Sequence, residues 1–313
     1  MPSRVIITGG TGFIGSAVVA QLLKKGAYVT VLLRPGSSID RLRGMSGVDT
    51  IVYTSMREAD LAAQLREREP ESFIHCGWRG VGGADRNQHY QVSENIPMTL
   101  DTVELAAEAG CRQWIGLGSQ AEYGNQNCRM NEEAPLRPTT LYGKAKLAAG
   151  IAGLALVEAH KMAGVWIRVF STYGPGDSPQ WFIPYVTQEM LAGRSPKLTR
   201  CEQQWDYLYV DDAARAIAAV ADGKTTGVFN LGSGRTRPLK DYVELIRQEV
   251  AAIVDPEYGA VPYRSDQVMH LEADVARLVA ASGWSPVVSP QEGVRATVAF
   301  ERKRMAGAPK QGI

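Results

Sequence analysis

Thr8-Gly9-Gly10-Thr11-Gly12-Phe13-Ile14-Gly15 follows directly on a short apolar run, Arg4–Thr8, and opens an amphipathic stretch, Gly12–Lys25. Gly9, Gly12 and Gly15 stand as G-x-x-G-x-x-G, and each spacing has a physical use. The first glycine permits a tight turn, the second lets the backbone approach a pyrophosphate, and the third allows a helix to pack closely on its strand. Strand, glycine turn and helix in that order direct phosphates onto the helix N-terminus, with Thr11, Phe13 and Ile14 completing the cradle. Glycines that merely form a turn are the plainer explanation of such a motif alone. Its place between a strand and a helix favours a dinucleotide.

From Arg4 to Arg168 short β-branched runs alternate with longer amphipathic stretches, the pattern of βαβ units and a parallel sheet. Strands are expected at Arg4–Thr8, Tyr28–Leu33, Thr50–Tyr53, Ser72–Cys76, Trp114–Leu117 and Val165–Val169. Their nearly continuous hydrophobicity indicates burial on both faces. Helices are expected at Gly12–Lys25, Glu58–Glu69, Asn95–Ala109 and Thr140–Met162. After Ser171 the texture turns to Gly- and Pro-punctuated loops around shorter elements. The predicted fold class is therefore α/β: a Rossmann-type doubly wound parallel sheet over residues 1–170, with a smaller C-terminal α/β substrate-binding lobe over 171–313. Within that lobe the segments near 205–232, with strands at Tyr207–Val210 and Gly227–Leu231, are expected to return to the main sheet.

The end of the second strand decides which dinucleotide fits. A carboxylate there binds a ribose 2′-OH, whereas an arginine accommodates a 2′-phosphate. Val31-Leu32-Leu33-Arg34-Pro35-Gly36-Ser37-Ser38 offers no carboxylate, but one arginine and two hydroxyls. Arg34 and Ser37 are accordingly read as contacts to NADP, with NAD the less favoured cofactor, although Arg34 at a strand end could also be a solvated residue.

Tyr142-Gly143-Lys144-Ala145-Lys146 opens the long helix and places Tyr142 and Lys146 at i and i+4, on one helical face. A free tyrosine titrates near 10. It needs a nearby cation to favour its phenolate, and with one it can hand a proton to a carbonyl oxygen as hydride arrives. Ser119 follows the Trp114–Leu117 strand, at the sheet edge where open α/β folds bind ligands, and can hold the same carbonyl. Alone, either residue would be ordinary packing. In order behind a dinucleotide loop, Ser119, Tyr142 and Lys146 form a catalytic set.

Other chemistries find little support. With 34 basic against 33 acidic residues, the formal charge of +1 gives no reason to expect a nucleic acid or a membrane surface as partner. No apolar run approaches the roughly 20 residues of a membrane span. The four cysteines form no C-x-x-C pair, so neither a zinc knuckle nor a disulfide framework is expected, and a reducing cytoplasm suits them. No metal site is expected among His75, His89, His160 and His270, and His75 reads as a packed, hydrogen-bonded residue. Ser119 lacks a G-x-S-x-G elbow, and no Walker-type lysine follows the glycine loop.

With these residues in place, the chain resembles the extended short-chain dehydrogenase/reductases, in particular their nucleotide-sugar epimerases, dehydratases and 4-ketoreductases. Besides the glycine loop, the resemblance rests on Phe73-Ile74-His75-Cys76-Gly77, Gly118-Ser119-Gln120-Ala121-Glu122-Tyr123-Gly124, Tyr142–Lys146, Tyr173-Gly174-Pro175-Gly176, Asp206–Asp212 and Asn230-Leu231-Gly232-Ser233-Gly234. It implies that Lys146 also contacts the nicotinamide ribose, that Cys76 lies beside the cofactor, and that segments after Tyr173 clasp a nucleotide diphosphate and sugar. Gln180, Tyr207 and Arg264 are candidates for that clasp, and Gln120, Trp78 and Arg79 for the wall around the sugar. A homodimer, with the Asn95–Ala109 and Thr140–Met162 helices pairing across a two-fold axis, is common in the family.

Departures from the family pattern narrow the activity. Dehydratases carry an Asp-Glu pair where this chain has Gln120-Ala121, and epimerases commonly show an acidic residue where it has Arg34. Many relatives grip the diphosphate with an arginine where Trp205 stands. The expected function is NADPH-dependent reduction of the 4-keto group of a CDP- or dTDP-linked deoxyhexose. A nucleotide-sugar 4-epimerase using the same residues is the alternative within the family; a reductase of hydrophobic carbonyl compounds and a non-catalytic NADP sensor stand further off.

Overall fold

The computed structural model describes residues 3–307. Seven parallel strands form the main sheet: β1 (Arg4–Thr8), β2 (Tyr28–Leu33), β3 (Val48–Val52), β4 (Ser72–His75), β5 (Gln113–Ser119), β6 (Ala163–Val169) and β7 (Gly227–Leu231). Their order is β7-β6-β5-β4-β1-β2-β3, so the chain reverses direction between β1 and β4. That reversal opens a crevice at the strands' carboxyl ends, where this class of sheet binds ligands.

Adjacent residues of one strand serve opposite faces, as a period of two requires. Ile7 packs with the Phe13–Lys24 and Val210–Val220 helices, while Ile6 joins the core under the Asn95–Glu108 and Leu141–Ala159 helices. Helices on both faces leave no polar side to the central strands.

Gly227–Leu231 returns to the main sheet, as β7 beside β6. The segment at Tyr207–Val210 does not. Tyr207–Tyr209 pairs with Ser171–Tyr173 in a separate two-stranded ladder, and Val210 begins the next helix. The physical reason is twofold. The edge of β6 is already taken by β7, and the rings of Tyr207 and Tyr209 pack edge-on against Tyr173, with Tyr207 also meeting Tyr242 at 5.1 Å between centroids. A further sheet draws Cys128–Met130 out of the first half of the chain to pair with His270–Ala273, next to Gln204–Trp205 and Arg237–Pro238.

Ends also differ from the sequence-based expectation. β5 runs on to Ser119 rather than stopping at Leu117, and the helix expected over Thr140–Met162 spans Leu141–Ala159. Thr140 caps that helix, its hydroxyl accepting from the Gly143 N–H at 3.1 Å.

His75 is buried at the end of β4, with Thr8 Oγ1 2.7 Å from Nδ1 and Thr99 Oγ1 3.3 Å from Nε2. Burial, helped by the charge of Lys146, pushes its pKa down to about 3 from an ordinary 6.5. Below pH 6.5 the unfolded chain binds a proton that the folded chain refuses, so stability falls as pH falls from there towards 3. By pH 5 the expected loss is about 2 kcal/mol. Urea midpoints at pH 7.5 and 5 measure it, and His75→Gln should flatten the difference; an unchanged difference would show that His75 is not its source.

Candidate active site

The glycine loop is a cradle by necessity. Gly9 sits at φ +69°, and a Cβ there would lie 2.6 Å from the Gly77 nitrogen. A Cβ on Gly15 would collide with the Gly9 carbonyl, whereas Gly12 meets only that oxygen, at 3.1 Å. The Phe13–Lys24 helix has no side-chain cap at Gly12 and no acidic residue in its first turn. Its N-terminal N–H groups therefore suit an anion, and the pyrophosphate of a dinucleotide fits the residues present. The close approach of Gly9 to Gly77 also brings the end of β4, with Cys76, beside the loop. Burial raises the Cys76 thiol to about 12, so it stays a neutral wall.

Arg34 is exposed at the end of β2 and, among the described residues, has no ion-pair partner. Its carbonyl accepts from the Ser37 N–H at 3.0 Å, which folds Ser37 back beneath it. Arg41, not singled out in the sequence, donates to the Thr11 carbonyl at 3.1 Å and the Gly176 carbonyl at 2.7 Å. It thereby ties the glycine loop to Tyr173-Gly174-Pro175-Gly176.

Ser119, Tyr142 and Lys146 come together at the carboxyl end of β5, each at most 8% exposed. The hydroxyls of Ser119 and Tyr142 stand near one another. Burial raises the phenol above its usual range, against the nearby Ser119 hydroxyl and the charge of Arg86, with Glu122 pushing it up as well. Lys146 Nζ donates to the Leu117 carbonyl at 2.7 Å and lies 3.7 Å over the Trp78 ring. Burial lowers it to about 7, opposed chiefly by the charge of Glu122. A hydroxyl pair backed by a cation at a sheet edge can hold a carbonyl oxygen and deliver a proton to it.

Trp78 stands beside this cluster. Its ring meets Tyr142 edge-on at 6.1 Å, and its Nε1 is anchored on Gln91 Oε1 at 2.8 Å. Gln120 stands half-buried in the turn after Ser119, and exposed Gln180 lies beside Gly82. Arg79 is turned to Glu94, 2.6 Å away, and over the Tyr90 ring. Tyr207 sits in the tyrosine cluster, and Arg264 is exposed near Asp266 at 3.5 Å. Trp205 donates to Ser171 Oγ at 2.8 Å. Asp206 is wholly buried and accepts from Ser233 N–H, Ser233 Oγ, Gly234 N–H and Ala273 N–H, so its acidic position in the Asp206–Asp212 stretch holds the Gly232-Ser233-Gly234 turn.

One further contact, between Glu122 and Arg168, escapes a reading of the sequence alone. Glu122 accepts from the Ser119 N–H at 2.8 Å and from Trp166 Nε1 at 3.1 Å, and it receives Arg168 Nε at 2.9 Å. Together with the Ser119 side chain this closes a capping box that sets where the serine stands. Among the described residues no group of three or more His, Cys, Asp or Glu side chains could hold a metal, and no helix is long and apolar enough to cross a membrane.

This fold and site define the class of the extended short-chain dehydrogenase/reductases. The sequence profile described as the NAD dependent epimerase/dehydratase family matches residues 5–232, and the chain belongs to that family. It is similar to the dTDP-glucose 4,6-dehydratase of Streptomyces griseus, 27% identical over 97% of this chain and 95% of that protein. It is also similar to the dTDP-6-deoxy-L-talose 4-dehydrogenase (NAD(P)(+)) of Kitasatospora kifunensis, 29% identical over 94% of each. Among solved structures, the Thermus thermophilus UDP-glucose 4-epimerase in complex with NAD matches with a TM-score of 0.79 at 25% identity, over 96% of this chain and 99% of that one.

Proposed function

We propose that the chain is an NADPH-dependent ketoreductase acting on the 4-keto group of a nucleotide-activated deoxyhexose, CDP- or dTDP-linked. The observation that carries this reading is Arg34, exposed and without an acidic partner at the end of β2, in a chain that keeps Ser119, Tyr142 and Lys146 in one buried cluster. Arg34 and Ser37 would face a 2′-phosphate, and the N–H groups after Gly12 the pyrophosphate. When bound, the reduced cofactor supplies hydride for C4. Ser119 holds the carbonyl oxygen, Tyr142 gives that oxygen its proton, and Lys146 steadies the ribose and the phenolate left behind. The product is the C4 alcohol, with Tyr142 reprotonated from solvent.

Gln120-Ala121 speaks against dehydration despite the similarity to a 4,6-dehydratase, because neither side chain can protonate a leaving hydroxyl or remove a C5 proton. The likeness to a dehydrogenase of a dTDP-6-deoxyhexose supports chemistry at C4. A second reading, a nucleotide-sugar 4-epimerase with retained NAD, is favoured by the likeness to the UDP-glucose 4-epimerase. NADPH fluorescence decay over a panel of nucleotide 4-keto sugars separates the two. Oxidation that depends on Tyr142 supports the reductase, whereas interconversion of saturated sugars without net oxidation supports the epimerase.

Arg34→Glu provides a cofactor-level test. Loss of a charge-assisted contact to the 2′-phosphate should weaken NADPH binding by about 10- to 100-fold while leaving NADH binding unchanged or improved. Equal losses for both cofactors, measured by fluorescence titration, would remove Arg34 from the 2′-phosphate. The same proposal includes a homodimer through the outer faces of the Asn95–Glu108 and Leu141–Ala159 helices, where Ile151 is 64% exposed.

A further inference from the structure

Arg86 is the cation beside the phenol to which the reading above gives no task. It follows the short Gly83–Asp85 turn, and its carbonyl accepts from the Tyr142 N–H at 2.8 Å. The neighbouring Asn87 Oδ1 accepts from the Leu141 N–H at 3.1 Å, so this turn is moored on the start of the catalytic helix. From below, the fully buried Gln91 donates to the carbonyls of Gly80, at 2.6 Å, and Asp85, at 3.1 Å. Four hydrogen bonds thus hold the backbone around Arg86 in place.

The guanidinium carbon lies 5.6 Å from the Tyr142 ring centroid, slightly nearer than Lys146 Nζ at 6.0 Å. Neighbouring carboxylates are engaged elsewhere: Asp85 accepts from the Tyr90 hydroxyl at 2.5 Å, and Glu94 receives Arg79. Arg86 Nε is buried and, among the described residues, has no hydrogen-bond partner. Leaving such a donor unmatched is costly, and a negative charge arising nearby during turnover would offset that cost.

The charged and titratable groups around the phenol are few. Lys146 lies on its own helix, Glu122 comes from the turn after β5, Arg86 from the loop after β4, and Cys76 and His75 stand behind Lys146. Burial brings Lys146 to about 7, so near neutral pH it is only partly charged. A guanidinium stays charged throughout.

We propose that Arg86 is a positioning residue of the reaction, acting through Tyr142: its permanent charge stabilises the phenolate formed when the proton is given up, and so makes the buried phenol acidic enough to serve as donor. This rests on Tyr142 being the proton donor of the proposed function. It adds a second cation to the centre.

The test reads Tyr142 directly and needs no substrate. Protein labelled with 13Cζ-tyrosine and saturated with NADP is titrated by NMR, the Tyr142 resonance being the one absent in Tyr142→Phe. In Arg86→Gln the Tyr142 titration should move up by about one pH unit, the effect of losing an opposite charge at this range. Turnover on a reducible sugar should fall about tenfold at neutral pH, the alkaline limb of its pH profile should move up by the same unit, and Arg86→Lys should recover most of both. An unmoved Tyr142 titration in Arg86→Gln overturns the proposal, whether the variant keeps full rate or loses it through KM, the latter marking a substrate contact instead. Should Arg86→Gln fail to fold, a Tyr142 titration in Arg86→Lys displaced no further than by conservative charge movement supports the proposal, and one displaced as far as full charge loss overturns it. A shifted titration in a protein that reduces no 4-keto sugar would leave the role of Arg86 standing and sink the ketoreductase reading alone.

Discussion

Tyr142→Phe is expected to lower kcat for ketone reduction by about 10²- to 10⁴-fold, the range that a positioned general acid contributes. Folding and cofactor binding should be nearly untouched. The ring, not the hydroxyl, makes the packing: it is 8% exposed and meets Trp78 edge-on at 6.1 Å, contacts that phenylalanine retains. What disappears is the proton and the hydroxyl beside Ser119. Ser119 should keep its place in response, because its Oγ also accepts from the Ala121 N–H at 3.2 Å and its N–H is held by Glu122. Single-turnover NADPH oxidation checks the rate, and a fluorescence titration checks binding. A variant that turned over at roughly a third of the wild-type rate would place the proton donor elsewhere.

Those parts of the site that depend on local backbone demands were legible in the sequence. Gly9 has to take a positive φ, and Gly15 has to lack a Cβ, so the glycine spacing is visible without knowing anything distant. Tyr142 and Lys146 are one helical turn apart, which likewise needs no tertiary knowledge. Ser119 could be placed because the apolar run Trp114–Leu117 marks a strand whose carboxyl end lies at the sheet edge.

What could not be read depends on which polar groups meet across long separations. Arg79 and Arg86 are seven positions apart on one loop, and nothing in their immediate neighbours says that Arg79 finds Glu94 while Arg86 is left facing Tyr142. Tyr207–Tyr209 has the composition of a strand for either sheet, and the choice is made by the rings of Tyr173 and Tyr242. Arg168 did carry a signal: a cation in a strand buried on both faces requires a buried carboxylate, and Glu122 answers it. The sequence could announce that need, but not the partner 46 positions away.

Arg168→Met should accordingly be the most destabilising single substitution near the site. Arg168 and Glu122 are 5% and 0% exposed, with Nε 2.9 Å from Oε2. Removing the guanidinium leaves a carboxylate in the interior without its counter-charge, which costs about 3–5 kcal/mol. It also removes the donor to the Tyr123 hydroxyl, at 2.9 Å, although that hydroxyl keeps its own bond to Asn230 Oδ1 at 2.6 Å. Most of the expected loss therefore comes from the stranded charge rather than from the broken bonds. Pairing the change with Glu122→Gln separates the two contributions, since the double variant has no charge to strand and an amide that can still accept from the Ser119 N–H. Urea unfolding at pH 7.5 should then return at least half of the lost stability. If the double variant is no more stable than Arg168→Met, the cost lies in the packing and hydrogen bonds of the guanidinium, and Glu122 does not depend on its charge.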